Sequence, residues 1–250
     1  MLTQLRDRRT LRRWSRAIGA ADVLDPSELK RLRARARALA RRVNRVIQVA
    51  DGRLQLPLAG EAAIRRPMHS DWAWRPELWT VPINPPGLTE VATKTAFGEE
   101  AKIFHDCGLS ELTIRQLRNT RAEDVAPFGL RLDVFRFDGS FLSLVLDLPD
   151  EGIADLCRRH ILRLDIRVET ERPLEIFGRL NIRHGPNVEQ IVREFESSDG
   201  ELTIEFDIGA TQVNEKRVDR AWVDLIFEGP DLNQITLRDV TLSRRPRAEV

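Results

Sequence analysis

From about residue 89 onward the hydrophobic period of this chain is two, and that alternation restricts the fold more than any other feature. In the run ELTIEFDI (201–208), Leu202, Ile204, Phe206 and Ile208 alternate with Glu201, Thr203, Glu205 and Asp207. Successive side chains of a strand point to opposite sides, so such a run carries one apolar and one polar face. HILRLDIRVE (160–169) repeats the pattern with Leu162, Leu164, Ile166 and Val168. SELTIRQL, FGLRLDVF, FLSLVLDL, PLEIFGRLNI, AWVDLIFE and NQITLRDVTL do likewise. Turn-forming stretches such as FDGS, LPDEG, HGPN and EGPDLN separate the runs, with little helical period between them to build parallel units. The expected fold is all-β, an antiparallel, jelly-roll-like sandwich. In the last run the apolar phase slips between Leu237 and Val240, which predicts a bulge there.

Residues 1–50 follow a helical period instead. Leu11, Trp14 and Ile18 stand at 3/4 spacing within a first helix over 1–20. A second helix is announced by Asp25 at the N-cap, Pro26 at the first helical position and Glu28 two residues on, a capping-box arrangement. Its apolar seam runs Leu29, Leu32, Ala36, Leu39, Val43, Val46, with arginines at 31, 33, 35, 37, 41, 42 and 45 around it. Residues 1–50 hold 14 Lys+Arg and 4 Asp+Glu, a net of +10, and 13 of the 14 are arginine. The remaining 200 residues hold 26 and 35, a net of −9, so the overall +1 conceals a charge split. A split of that size points to a segment with its own anionic partner, or to attraction between the two parts. The expected organisation is a basic two-helix segment at 1–50, a linker at 51–67 and a β-sandwich domain at 68–250. Pro57, Pro67, Pro76, Pro82, Pro85 and Pro86 exclude long regular structure over 50–90.

Two cysteines, Cys107 and Cys157, are too few for a disulfide scaffold and fit a reducing, cytoplasmic compartment. No run reaches the roughly 18 apolar residues of a membrane span, and the first residues lack the apolar stretch of a secretory signal. No Ser–His–Asp order, GxSxG, phosphate loop or GxGxxG stands out, so no catalytic residue is assigned and a non-enzymatic role is expected.

Four constellations carry possible chemistry. His105 and Cys107 (in FHDC) with Cys157 and His160 (in CRRH) make a two-thiolate, two-imidazole set that zinc accepts, if the pairs meet. Sugars present apolar ring faces and polar edges, so flat rings beside amide and guanidinium groups suit them. Trp72 and Trp74, two apart in DWAWRPELW and pointing to one side of an extended chain, supply rings, as do Trp79 and Trp222. Asn181, Arg183, His184 and Asn187 in RLNIRHGPN, with Gln190 and Asn233, supply polar groups. Trp72, Trp74, Asn181, Arg183, His184, Asn187 and Gln190 form the expected ligand set. The acid pairs Glu205/Asp207 and Asp224/Glu228 are what a solvated sheet face also displays. The arginine-dense helices suit phosphate-bearing RNA, a membrane surface or an acidic protein.

The segments DWAWRPELW, FHDC, RQLRN, DGSFLSLVLDLP, RLNIRHGPN, NEKRVDRAWVDLIFE and ITLRDVTLSRRPRAEV, spread over about 66–248, resemble as a set an uncharacterised, mostly alphaproteobacterial family, a domain of unknown function. The C-terminal part is similar to the jelly-roll of carbohydrate-binding modules, in which a final strand like TLRDVTLSRR closes one sheet. The family resemblance implies no activity and carries no site residue. The fold-level likeness implies a sandwich that binds a glycan or sugar-containing polymer without catalysis. The alternative is an adaptor whose arginine-rich arm docks on an anionic partner.

Overall fold

The computed structural model describes residues 2–54, 64, 66–108, 111–198 and 201–247. The chain divides into two compact units, 1–51 and 52–250. In the first, α1 (Leu2–Ala20) leads through a 3-10 turn at Ala21–Val23 to α2 (Pro26–Leu54). Asp25 caps α2 as its sequence predicts. Its Oδ1 accepts from the Ser27 amide at 2.8 Å and the Glu28 amide at 3.2 Å, two donors that a helix start leaves unpaired. Leu11 and Ile18 of α1 are exposed, and so are Leu29, Leu39, Val43, Val46 and Ile47 along α2. Among the described residues no helix is long and apolar enough to cross a membrane. Most of the expected linker, 55–63 and 65, lies outside the described residues.

The second unit is built from two antiparallel sheets. Numbered in chain order, the first sheet holds β1 (Trp72–Trp74), β2 (Gly87–Leu88), β5 (Glu111–Arg118), β6 (Phe128–Arg136), β8 (His160–Thr170), β11 (Glu196–Ser198), β12 (Glu201–Asp207) and β14 (Asn233–Pro246). The second holds β3 (Thr95–Phe97), β4 (Ala101–His105), β7 (Leu142–Asp147), β9 (Glu175–His184), β10 (Asn187–Glu194) and β13 (Val218–Glu228). Strand order in the first is β11-β12-β8-β14-β6-β5-β2, with β1 on β14. In the second it is β10-β9-β13-β7-β4-β3. From β7 to β14 the chain passes repeatedly from one sheet to the other, which makes the sandwich jelly-roll-like.

The alternation read from the sequence is the alternation of burial. Leu162, Leu164 and Ile166 of β8 and Leu237, Val240 and Leu242 of β14 face Leu142, Leu144 and Leu146 of β7 and Val223, Leu225 and Phe227 of β13 in one core. Each such side chain, fully buried, contributes roughly 1.5–3 kcal/mol. The predicted bulge is present: the register of β14 against β8 shifts between Leu237 and Asp239. Gly178 on β9 leaves room for side chains of the opposite sheet, since a Cβ there would lie 2.4 Å from Ile204 Cδ1 and 3.2 Å from Phe206 Cζ.

The aromatic stretch fastens the connector to this core. Trp79 is fully buried and its Nε1 donates to the Leu237 carbonyl at 2.9 Å. Trp72 and Trp74 stand opposite Arg244 and Leu242 of β14. Their rings stack with centroids 6.2 Å apart and planes 20° apart, and both pack against the core. Trp72 also closes on the short helix α3 (Asp150–Ile153), where a Cβ on Gly152 would meet its ring at 2.6 Å.

Candidate functional site

The outward face of the second sheet is the candidate site, and strand register assembles it. Directly opposed residues on antiparallel strands share a face. Asp147, Trp222, Asn181 and Gln190 therefore form one row across β7, β13, β9 and β10. Lys102, Val145, Asp224, Arg179 and Val192 form the next, starting from β4. Phe104, Ser143, Ile226 and Phe177 form a third.

Although this is an outer face, its centre is closed to solvent: Asn181 is 1 % exposed, Asp224 2 % and Ser143 2 %. The larger side chains around them, Lys102, Phe104, Phe177, Arg179 and Trp222, are half-buried, and Gln190 and Val192 are exposed. The face thus has a polar floor and a rim of rings and long side chains.

A directed hydrogen-bond chain crosses the floor. Gln190 Nε2 donates to Asn181 Oδ1 at 2.9 Å, and Asn181 Nδ2 donates to Asp224 Oδ2 at 3.1 Å. Arg179 Nε donates to the same Oδ2 at 2.6 Å. These donors converge on one carboxylate oxygen, so Asp224 Oδ1 is buried with no hydrogen-bond partner among the described residues. Ser143 Oγ, one register step away on β7, is likewise buried and unpartnered. Burial pushes the Asp224 carboxyl above the usual carboxylate range despite Arg179 and Asn181. Asp147 on the rim behaves oppositely. Burial would raise it, but Lys102 at 2.8 Å and Arg220 at 3.0 Å outweigh that and hold it low. Arg220 also lies over the Trp222 ring, 4.8 Å from its centroid.

Of the residues singled out from the sequence, Trp222, Asn181, Arg183 and Gln190 share this face, with Arg183 Nε donating to Asp219 Oδ1 at 2.8 Å. RLNIRHGPN forms the second half of β9 and the turn into β10, as the strand run PLEIFGRLNI and the turn stretch HGPN predict. His184, opposite Asn187 across its two-residue turn, is buried with Nδ1 accepting from the Asn214 amide at 3.3 Å, while Asn187 is exposed at the tip. Trp72 and Trp74 belong to the other sheet, and Asn233 ties the β8 end to β14 through the Glu171 and Arg172 amides. Asp224 entered the sequence reading only as one of an acid pair, and Ser143 and Arg179 not at all; a lone Asp in the apolar run WVDLIF was the available signal.

The four metal-ligand candidates do not form one set. His105 ends β4, its Nε2 2.8 Å from the Val91 carbonyl, and Cys107 Sγ donates to Asp138 Oδ1 at 2.7 Å. Cys157 and His160 lie at the start of β8, with Sγ 3.5 Å from Nδ1. Among the described residues no group of three or more His, Cys, Asp and Glu converges as a metal site requires. Glu205, paired with Arg245, lies on the first sheet and Asp224 on the second, so the carboxylates form no cross-strand pair.

The first sheet carries a cavity of about 240 Å³ lined in part by Arg75, Arg163, Arg167, Asp165, Glu201 and Asp239. These charges already answer one another: Arg75 with Asp239 at 2.8 Å, Arg163 with Asp165 at 2.8 Å, Arg167 with Glu201 at 2.7 Å. A ligand there would compete with formed ion pairs. Among the described residues Arg238 Nε in this lining is also buried without a partner, but its guanidinium is already paired with Glu169 at 3.0 Å, whereas Asp224 Oδ1 and Ser143 Oγ on the second sheet are acceptors still open.

The chain belongs to the DUF6478 family, a family of unknown function, whose model matches residues 1–250. Comparison with curated proteins finds no match. Among solved structures it is similar to a family 11 carbohydrate-binding module from Clostridium thermocellum, solved with a β-1,3-1,4-mixed-linked tetrasaccharide. Identity is 11 %, covering 64 % of this chain and 96 % of that one, with a TM-score of 0.37. A xylan-binding module, CBM15, is 13 % identical over 65 % of this chain and 98 % of its own, with a TM-score of 0.35. The enzymatically active domain of tailspike protein 4 from bacteriophage CBA120 is 6 % identical, over 60 % of this chain but 21 % of that one, with a TM-score of 0.41. At these values the likenesses carry no site residue over to this chain.

Proposed function

We propose that this member of the DUF6478 family is a binding module for a neutral, polyhydroxylated ligand, a glycan or sugar-containing polymer, held without catalysis on the outward face of the second sheet. The observation that carries the reading is the pair of buried, unpartnered oxygens, Asp224 Oδ1 and Ser143 Oγ, on the floor of a face rimmed by rings. An unmade hydrogen bond on a buried polar atom costs about 1–3 kcal/mol, so a ligand hydroxyl that displaces the half-buried rim side chains over these closed oxygens gains what the free protein lacks. Asp224 Oδ1 accepts and needs a donor; a sugar hydroxyl is one, whereas a phosphate or sulfate would meet carboxylate repulsion. Ser143 Oγ donates or accepts and suits a second hydroxyl. The apolar face of a sugar ring has Trp222, Ile226 and Phe177 beside this floor. Gln190 and Arg183 stand at the edge, where further polymer units would pass.

The test is a glycan-array screen of the full chain at about 0.5 M salt, where screening within a few ångströms suppresses binding through the basic helices. A selective neutral hit is expected. Calorimetry should then show its affinity falling about tenfold or more with Asp224→Asn or Trp222→Ala, and less with Gln190→Ala. A hit indifferent to all three variants in folded protein would move the site elsewhere, and a blank array would sink the glycan reading.

A further inference from the structure

Apart from the sandwich, the two helices of the first unit carry a surface that the glycan reading does not use. Along α2, Leu29, Leu39, Val43, Val46 and Ile47 are 41, 37, 48, 68 and 40 % exposed. At 100° per residue these positions, with Leu32 and Ala36, fall within one stripe about 100° wide. Arg33 borders one edge of that stripe and Arg35 and Arg42 the other, and all three are exposed. Between Pro26 and Val43 there are seven cationic side chains against one carboxylate, Glu28. α1 repeats the design in shorter form: Leu11 and Ile18 are 67 and 75 % exposed on the face that also bears half-buried Trp14, among Arg12, Arg13 and Arg16.

We infer that α1 and α2 bind the surface of an anionic lipid bilayer, lying in its plane with the apolar stripes in the acyl boundary and the bordering arginines at the phosphates. Charge complementarity selects this occupant. A stripe of exposed Leu and Val contributes nothing on RNA, whose groove offers phosphate and base edges. Packing the stripe against a second copy would set a strongly cationic helix beside its equal, with no counter-charge from Glu28 alone. A bilayer rich in acidic lipid accepts both halves of the pattern: apolar area enters the interface, while each Lys or Arg near the surface adds to the attraction. It also accepts two amphipathic helices together, since a plane receives both stripes where a groove fitted to one would not. Arginine stems spread over the apolar stripe while their guanidinium groups reach outward to the phosphates.

The experiment is co-sedimentation of the full chain with vesicles of phosphatidylcholine alone or with about one-third phosphatidylglycerol, at low and high salt. The expected result is binding to the anionic vesicles at least tenfold tighter than to the neutral ones, weakening as salt rises. Two variants separate the apolar contribution from charge. Leu39→Asp and Ala34→Asp each add one negative charge, but Leu39 lies in the stripe and Ala34 on the opposite side of α2. Leu39→Asp should reduce vesicle binding tenfold or more and Ala34→Asp by a small factor, with far-ultraviolet dichroism reporting equal helix content. Equal losses from the two variants would mean a purely electrostatic partner and overturn the proposal. So would salt-sensitive binding of single-stranded RNA without vesicle binding. A dimer in light scattering that dissociates on Leu39→Asp, with vesicles left unbound, would assign the stripe to a second copy and overturn it as well.

Discussion

Replacing Arg179 by Met leaves the Asp224 carboxylate on the floor of the candidate site with Asn181 as its hydrogen-bond donor and no cation. Arg179 Nε donates to Asp224 Oδ2 at 2.6 Å, and Asp224 is 2 % exposed. Removing one partner of a sealed ion pair costs about 3–5 kcal/mol, because the surviving charge stays buried. The Arg179 side chain is itself 36 % exposed, so water reaches the vacated position and screening reduces the expected cost to about 2–3 kcal/mol. For a domain of this size that corresponds to a Tm lower by about 4–10 °C. Asp224→Asn behaves differently: it keeps the shape, removes the charge that burial disfavours, and leaves Arg179 able to turn to water. It should stay within about 1 kcal/mol of the parent. The pH dependence follows from the direction of the Asp224 shift. Its folded pKa is raised, chiefly by burial, so the folded protein holds this proton more tightly than the unfolded chain. The group's contribution is therefore most favourable below the unfolded value of about 3.9 and is lost as pH rises through the folded one. The Arg179→Met penalty should shrink between pH 7 and pH 4.5, read by urea unfolding followed by tryptophan fluorescence. A penalty unchanged over that range, or an Asp224→Asn variant as unstable as Arg179→Met at pH 7, would refute the buried-charge argument.

Gly178→Ala places a methyl 2.4 Å from Ile204 Cδ1 between the sheets, so chemical denaturation should show a loss of about 1–3 kcal/mol. The two hydrogens of Asn119 Nδ2 are shared among the carbonyls of Ala126, Phe128 and Arg238 at 2.9, 3.0 and 2.9 Å; Asn119→Ala should lower stability by about 2–3 kcal/mol, and a loss below about 0.5 kcal/mol would show those carbonyls finding other donors. Burial, helped by nearby Arg244, lowers the His160 pKa, so its contribution is present above about pH 6.5 and is lost as pH falls from there toward the folded value. His160→Asn should flatten the stability profile between pH 7 and pH 5, and a profile equally steep in the variant would assign that slope to other groups.

What the sequence by itself determined was local in origin. Alternation along β8, β12 and β13 follows from strand geometry, so the apolar set Leu162, Leu164, Ile166 and the outward set Arg163, Asp165, Arg167 were both legible before any fold was known. The bulge after Leu237 was legible for the same reason, because one extra residue shifts the phase of everything beyond it. The Asp25 cap needed three neighbouring residues. Parts of the site were visible too, since Asn181 and Gln190 are polar groups in and just after RLNIRHGPN, although the strand that carries Gln190 is not among the alternating runs. Its centre was not. Asp224 meets Asn181 and Arg179 because β13 pairs with β9 some forty residues earlier in the chain, and shares its face with Ser143 because β7 pairs on its other side. Alternation says that each of these residues points outward but not which strand lies beside which. The tryptophans show the same boundary: spacing placed Trp72 and Trp74 on one side, and only pairing with β14 turned that side toward the core. Periodicity is set by bonds along the chain, whereas strand order and register are set by how the whole apolar surface is buried at once, and the floor around Asp224 exists only at that second level.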